Sequence, residues 1–483
     1  MTRSVLYTTS PLLASKTPLW RSKFIVAALA LGFVGLGARA AYVQVYANDF
    51  FKRQGLVRFA RTLELPANRG RLLDRNGLIL ASSVPAASIW AIPEDLDLKD
   101  PEVQVKLKDV AKLMDMPLKT LMEKLDVEDK SFVWVKRQLD WDVGQKIVAL
   151  NIKGIYNRKE YKRQYPEGES AAHIVGFTNV EDHGQEGMEL AFDKDLAGKP
   201  GSRRVIKDRL GRVVEGVGDE VPPQDGQDIQ LSIDSKVQYY AYQKLKQQVE
   251  LSKAKAGSVV VMDAHTGELL ALANYPSYDP GHRKNLTGEQ LRNRALTDTF
   301  EPGSTMKPIT VAAALELKRV KPSTIIDTAP GRYTVTGSTI TDTHNYGALT
   351  VEGVIQKSSN VGATKVAQKL SPQEMWEYFS ALGFGQKPQI QFPGAVSGRL
   401  RAWKTWKPIE QATMSYGYGL SASLFQMARS YTVFSNDGNV IPSTILKTSE
   451  PPVGVRVISK ENAAAVLHML RMAAGPGGTG QKA

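Results

Sequence analysis

The chain reads as an α+β protein carried on an N-terminal transmembrane helix, and three observations predict this. An uncharged run, Phe24 to Ala38, follows a basic start that holds no acidic residue. A turn-rich stretch, Gly218 to Gly226, separates a mixed region from a second half. That half runs strand, helix, hairpin, helix, the order of an antiparallel sheet with helices packed on it. The expected organisation is a cytoplasmic tail at 1–23, an anchor at 24–45, a non-catalytic domain at 46–226 and a chemistry-bearing domain at 227–483.

The N-terminal segment carries Arg3, Lys16, Arg21 and Lys23 ahead of the apolar run. A span needs about 20 residues, so the helix must continue past Arg39 through Tyr42 to about Val45. Arg39 can snorkel to the interface beside Tyr42. The rival reading is a cleaved signal peptide at Ala38-Arg39-Ala40; Val43, Val45 and Tyr46 extend the apolar character past that point and favour the anchor. Either way the bulk of the chain is expected outside the cytoplasm, although Lys52, Arg53, Arg58 and Arg61 blunt the charge asymmetry.

From Phe50 to Gly226 short strands and helices alternate. Arg69 to Ala81 reads as two strands around an Asn76-Gly77 turn. Val103 to Leu125 reads as two helices broken at Pro117, and Arg203 to Val214 as a hairpin turning near Gly211. His173 and His183 lack the spacing of a helical metal pair, so structural or surface roles are expected. Beyond Gly226 the pattern predicts a strand at Ile229 to Ile233, a helix at Lys236 to Ser252 and a hairpin, Ser258 to Asp263 and Glu268 to Ala273, turning at His265-Thr266-Gly267.

The chemistry concentrates at Thr299 to Thr310. Pro302-Gly303 breaks the preceding segment, and an apolar-periodic run predicts a helix opening at about Ser304. A three-residue step puts Ser304 and Lys307 on one helix face, where a neutral lysine can take the serine proton. The helix N-terminus offers free N–H groups to a developing oxyanion. Ser-x-x-Lys alone is weak, expected about once or twice by chance in a chain this long. A second pair, Ser252 and Lys255, closes a polar helix and reads as a solvated helix end. Pro308 is tolerable in a first turn but leaves a carbonyl near Ser304 without its helical donor. Downstream, Lys357-Ser358-Ser359-Asn360 lies between two helices; Ser358 could relay protons and Asn360 bind substrate, with a helix cap as the plainer reading. Tyr416-Gly417-Tyr418-Gly419 precedes an amphipathic helix and reads as a backbone turn packed near the same cleft.

Composition narrows the classes. At 483 residues the chain can build two or three domains with a large core. Its formal charge of +13 points to anionic surroundings, a membrane surface or an anionic glycan precursor; a merely soluble basic surface is the plainer alternative. No nucleic-acid motif accompanies the charge. The absence of cysteine excludes disulfides, thiol catalysis and cysteine metal sites. The terminal Gly475 to Ala483 imitates a phosphate loop, but its lysine is one place late and no Ser or Thr follows it, so it reads as a flexible loop.

Phe300 to Pro308, Lys357 to Asn360 and Ser415 to Gly419 together resemble the class B penicillin-binding proteins, specifically the division-type peptidoglycan transpeptidases known as penicillin-binding protein 3. The likeness extends to the anchor, to Arg69 through Leu80 and to Arg163 through Gly168, nearly the whole chain. It implies a pedestal domain below a penicillin-binding, serine β-lactamase-like domain. It also implies a reaction: Ser304 attacks the penultimate D-alanine of a stem peptide, Lys307 takes its proton, and Ser358 and Asn360 relay protons and hold substrate. By resemblance the partners are peptidoglycan stem peptides, β-lactams as covalent inhibitors, the inner membrane and other division proteins including a glycosyltransferase, with no cofactor. The family's third motif, Lys-(Ser/Thr)-Gly, has no counterpart; Lys447-Thr448-Ser449 lacks the glycine and lies too early. The expectation is therefore a piece of a longer transpeptidase, with weak or no transpeptidation and poor stability as it stands. The alternatives are a non-catalytic division scaffold or a serine carboxypeptidase or β-lactamase on the same fold.

Overall fold

A computed structural model describes residues 18–50, 60–127, 130, 132–207, 213–450 and 452–481. Two compact units result: residues 1–66 with 200–223, and residues 67–199 with 224–483.

In the first unit, helix α1 (Leu19–Ala41) continues as one π turn, Tyr42–Tyr46. The most apolar 18-residue stretch of these 28 residues has mean hydropathy 1.9 and buries nothing, and at 1.5 Å per residue the helix exceeds the roughly 30 Å hydrocarbon layer. The helix starts before the expected Phe24 because Pro18 precedes it and nothing in Leu19 to Lys23 breaks it. The Arg39 guanidinium lies over the Tyr42 ring, 5.4 Å from its centroid. Strand β1 (Ala60–Leu65) pairs antiparallel with a later strand, Gly201–Lys207, which pairs in turn with Val213–Val221. That is the expected hairpin, with its turn at 208–212 outside the described residues, as are Lys52, Arg53 and Arg58.

The second unit opens with β2 (Leu72–Leu73) and β3 (Ile79–Ala91). Asp74 Oδ1 accepts from the N–H groups of Asn76 and Leu78 at 2.7 and 2.8 Å, and Gly77 takes φ +86° to close the turn. β3 runs ten residues past the expected end at Ala81, through Pro85. Pro85 stands opposite Tyr161 in the pairing with β5, and pairing with β4 on the other side begins only at Ala86. Helices α2 (Pro101–Leu113) and α3 (Leu118–Leu125) break at Pro117 as expected. With β4 (Val133–Asp140), α4 (Trp141–Ala149) and β5 (Ile155–Gln164) they enclose a core of Ile89, Leu107, Val110, Leu121, Val135 and Ile147. Gly144 lets α4 approach β3, since a Cβ there would stand 2.1 Å from that of Ala87.

Two arginines are buried beside this sheet. Glu189 receives Arg69 Nε at 2.7 Å on one oxygen and Arg163 Nε at 2.7 Å on the other. Arg69 also reaches Asp193 at 2.8 Å and the Asp182 and Glu189 carbonyls, and Arg163 the Gly70 carbonyl at 2.7 Å. Every charge is matched, as burial demands. His173 is buried, its Nε2 donating to the Gln290 carbonyl at 2.7 Å, while His183 lies on the surface.

The segment from Ile229 onward begins with a strand shorter than expected, Ile229–Gln230, parallel to β2; Leu231 then bridges to Leu446 instead. Helix α5 (Ser235–Leu251) is capped by Asp234. The hairpin follows as Gly257–Met262 and Leu269–Tyr275. Ser252 is the C-cap of α5 and accepts from Gln248 Nε2, an ordinary helix end. Lys447 and Thr448 pair through backbone N–H groups with Gln230 and Glu268. After the last helix, Lys460–Ala474, the glycine turn bonds back onto it, Gly480 N–H to the Ala473 carbonyl at 2.9 Å.

Candidate active site

Ser304 lies in a single 3-10 turn, Gly303–Met306, and α6 proper (Lys307–Glu316) begins three residues later than expected. Pro308 explains the tight entry. It cannot donate to the Ser304 carbonyl four residues back, and the Lys307 N–H takes that place in a three-residue closure. Gly303 enters the turn at φ +62°. Residues 307–315 of α6 are all buried, so it is the central helix of the core rather than a one-sided amphipathic one, packed by Val351, Val354, Val366 and Phe379.

The serine and the lysine differ in exposure. Ser304 faces solvent, whereas Lys307 is 2% exposed. Lys307 Nζ lies 2.9 Å from Ser304 Oγ, 2.9 Å from Ser358 Oγ and 2.6 Å from the Ser358 carbonyl. Burial pulls its pKa down to about 8, against the opposing charge of Asp342. The carbonyl can only accept, so one N–H is committed to it. A neutral amine then keeps one N–H for one hydroxyl and a lone pair for the other, the arrangement that passes a proton between the two serines.

Ser358 adopts φ +54°, a left-handed conformation that costs a non-glycine residue about 1 kcal/mol or more. The bond from Lys307 to its carbonyl and the N–H it donates to Ile355 at 3.1 Å hold it there. Helix α7 (Val351–Gln356) ends just before it, and α8 (Asn360–Ala367) begins just after, with Ser359 as N-cap. Asn360 is therefore the first helical residue rather than part of the loop. Its side-chain amide donates to the Thr341 carbonyl at 3.0 Å, so it flanks the Ser304-Lys307-Ser358 chain without joining it.

Sequence reasoning missed Asp342. One of its oxygens accepts from Ser359 Oγ at 2.5 Å, the other from the Asn360 and Val361 N–H groups at 2.5 and 3.0 Å. It thus caps α8 from outside and fixes the loop that presents Ser358. The signal was an Asp in a turn-rich stretch, with no local spacing to tie it to Ser358. The Tyr416 to Gly419 turn does pack on the site. The Gly303 N–H donates to the Gly417 carbonyl at 3.2 Å, and a Cβ on Gly417 (φ +88°) would stand 2.1 Å from the Gly303 oxygen, so only glycine fits. Glu301 accepts from the Gly419 N–H at 2.8 Å.

Residues 257–483 match the penicillin binding protein transpeptidase domain and residues 64–231 the penicillin-binding protein dimerisation domain. The chain is 43% identical over 462 residues to a probable peptidoglycan D,D-transpeptidase PenA of Neisseria gonorrhoeae, covering 95% of this chain and 79% of the relative. It is 38% identical over 466 residues to the peptidoglycan D,D-transpeptidase FtsI of Escherichia coli K12, covering 96% and 79%. Penicillin binding protein 3 of Mycobacterium tuberculosis, solved with aztreonam, superposes with TM-score 0.63 at 27% identity over 85% of this chain and 75% of that one.

Proposed function

The chain belongs to the penicillin-binding proteins, and from that premise we propose that Ser304 is the nucleophile of its peptidoglycan D,D-transpeptidase reaction. The observation that carries the assignment is the contact of a solvent-facing serine with a buried lysine whose other partners are a hydroxyl and a carbonyl. Ser304 Oγ attacks the carbonyl carbon of the penultimate D-alanine as its proton passes to Lys307 Nζ. The C–N bond to the terminal D-alanine breaks, and the proton leaves with that amine by way of Ser358. An amine of a second stem peptide attacks the resulting ester and releases Ser304, and the cross-link is made. Asn360 holds the substrate backbone beside the ester. A β-lactam enters the same step, its ring opening onto Ser304.

One apolar N-terminal helix and the likeness to FtsI fit a single-pass inner-membrane protein. We assign the bulk of the chain to the periplasmic side, residues 24–45 to the anchor, 46–226 to a non-catalytic pedestal and 227–483 to catalysis. The reaction serves septal wall synthesis beside other division proteins, a glycosyltransferase among them. Intact-mass labelling by a penicillin, with peptide mapping and Ser304→Ala as control, tests the nucleophile. One adduct on Ser304 is expected; an adduct elsewhere, or labelling that survives Ser304→Ala, overturns it.

A further inference from the structure

The nucleophile turn has little support of its own. It is one 3-10 turn followed by a proline, and its internal ties are the Lys307 N–H on the Ser304 carbonyl and Thr305 Oγ1 on the Pro302 carbonyl at 2.8 Å. The Gly417 carbonyl grips its entry at Gly303. On the exit side a side chain 126 residues away does so: Tyr431 Oη donates to the Thr305 carbonyl at 2.7 Å.

Resting on the assignment of Ser304, we propose that Tyr431 is a positioning residue whose phenol clamps the nucleophile turn and keeps Ser304 Oγ within hydrogen-bond reach of Lys307. The helix that carries it, Leu424–Ser435, is itself fixed to the approach of that turn. Its cap Ser423 and neighbour Ala422 pair with Thr299 and Phe300, the strand just before Ser304. The Tyr431 ring packs edge-on against Phe434, centroids 5.5 Å apart, at the margin of the catalytic core. Burial raises the phenol pKa, so it remains a donor throughout the working range of Lys307. The phenol bonds the Thr305 backbone, not the Ser304–Lys307–Ser358 groups, so its effect passes through that carbonyl.

Tyr431→Phe in the full chain keeps the ring and removes only the clamp. Rapid-mixing acylation by a fluorescent penicillin separates the non-covalent dissociation constant from the acylation rate constant. The rate constant should fall about tenfold or more, as small misplacements of a nucleophile do, with the dissociation constant and Tm essentially unchanged. Amide hydrogen exchange at residues 303–307 should speed up in the ligand-free protein. An unchanged rate constant with unchanged exchange overturns the proposal, as does a fall in rate matched by a lowered Tm and weakened binding. If the parent chain takes no adduct on Ser304, the nucleophile assignment fails, and the exchange measurement alone then decides whether Tyr431 holds the turn.

Discussion

Arg69 and Lys307 are buried to the same degree, 1% and 2% exposed, and the chain treats the two cations in opposite ways. Burial works against the charge of Arg69, but Glu189, with Asp182 and Asp193 adding to it, outweighs that cost and leaves its pKa raised. Lys307 receives two hydroxyls and a carbonyl, the distant charge of Asp342 offsets little, and its pKa falls to about 8. A carboxylate partner keeps a buried cation charged as a structural fixture; withholding one lowers its pKa to where it can release and take up a proton.

Substitutions separate the two regimes, and the largest effect is expected at Lys307, the proposed base. Lys307→Met should cut the acylation rate by about a thousandfold, within the span of general-base losses, while thermal stability changes little, because the desolvation relieved by replacing the amine with an apolar chain offsets the lost bond to the Ser358 carbonyl. Acylation by penicillin and a melting curve check both; a large loss of stability would show that Lys307 is a fixture too. Glu189→Gln should do the reverse. Leaving buried Arg163 without its carboxylate, and Arg69 with its pair to Asp193, costs about 3–5 kcal/mol in urea unfolding, while the folded fraction acylates at the parental rate. If that variant were as stable as the parent, the account of Arg69 and Arg163 would be wrong.

His173 supplies a smaller, third case, a titratable group buried neutral. Burial lowers its pKa from 6.5 to about 4, so the unfolded chain binds a proton across that window and the folded one does not. Stability should therefore fall as pH drops from about 6.5 towards about 4, by at most about 3.4 kcal/mol at 1.36 kcal/mol per pH unit. His173→Gln should flatten that part of the curve in urea titrations at a series of pH values. An unchanged slope would mean that other groups set the acid limb.

What the sequence disclosed follows the range of the interactions. Ser304 and Lys307 stand one helical turn apart, so their contact was legible from spacing, as were the Asn76-Gly77 turn and the break at Pro117. The start of α6 was misplaced because Pro308 converts the first turn to a three-residue closure, a local detail that the apolar period does not register. β3 runs on to Ala91, past the expected Ala81, because β4 and β5, far along the chain, pair with its second half. Asp342, Gly417 and Tyr431 act across 17 to 126 residues, and the pairing of Arg69 with Glu189 across 120. Such partners carry no periodic signal, because the fold alone brings them together. The left-handed Ser358 is also invisible in advance, since it is held there by Lys307 and not by its own propensity.

The most direct test of the contrast is the titration of Lys307 itself, followed by NMR of lysine labelled with carbon-13 at the ε position and assigned by the loss of one signal in Lys307→Met. A midpoint near 8 would show an amine that burial keeps ready to accept the Ser304 proton. A midpoint at or above the ordinary lysine value of 10.5 would mean that Lys307 stays charged like Arg69, and the base would have to be sought elsewhere.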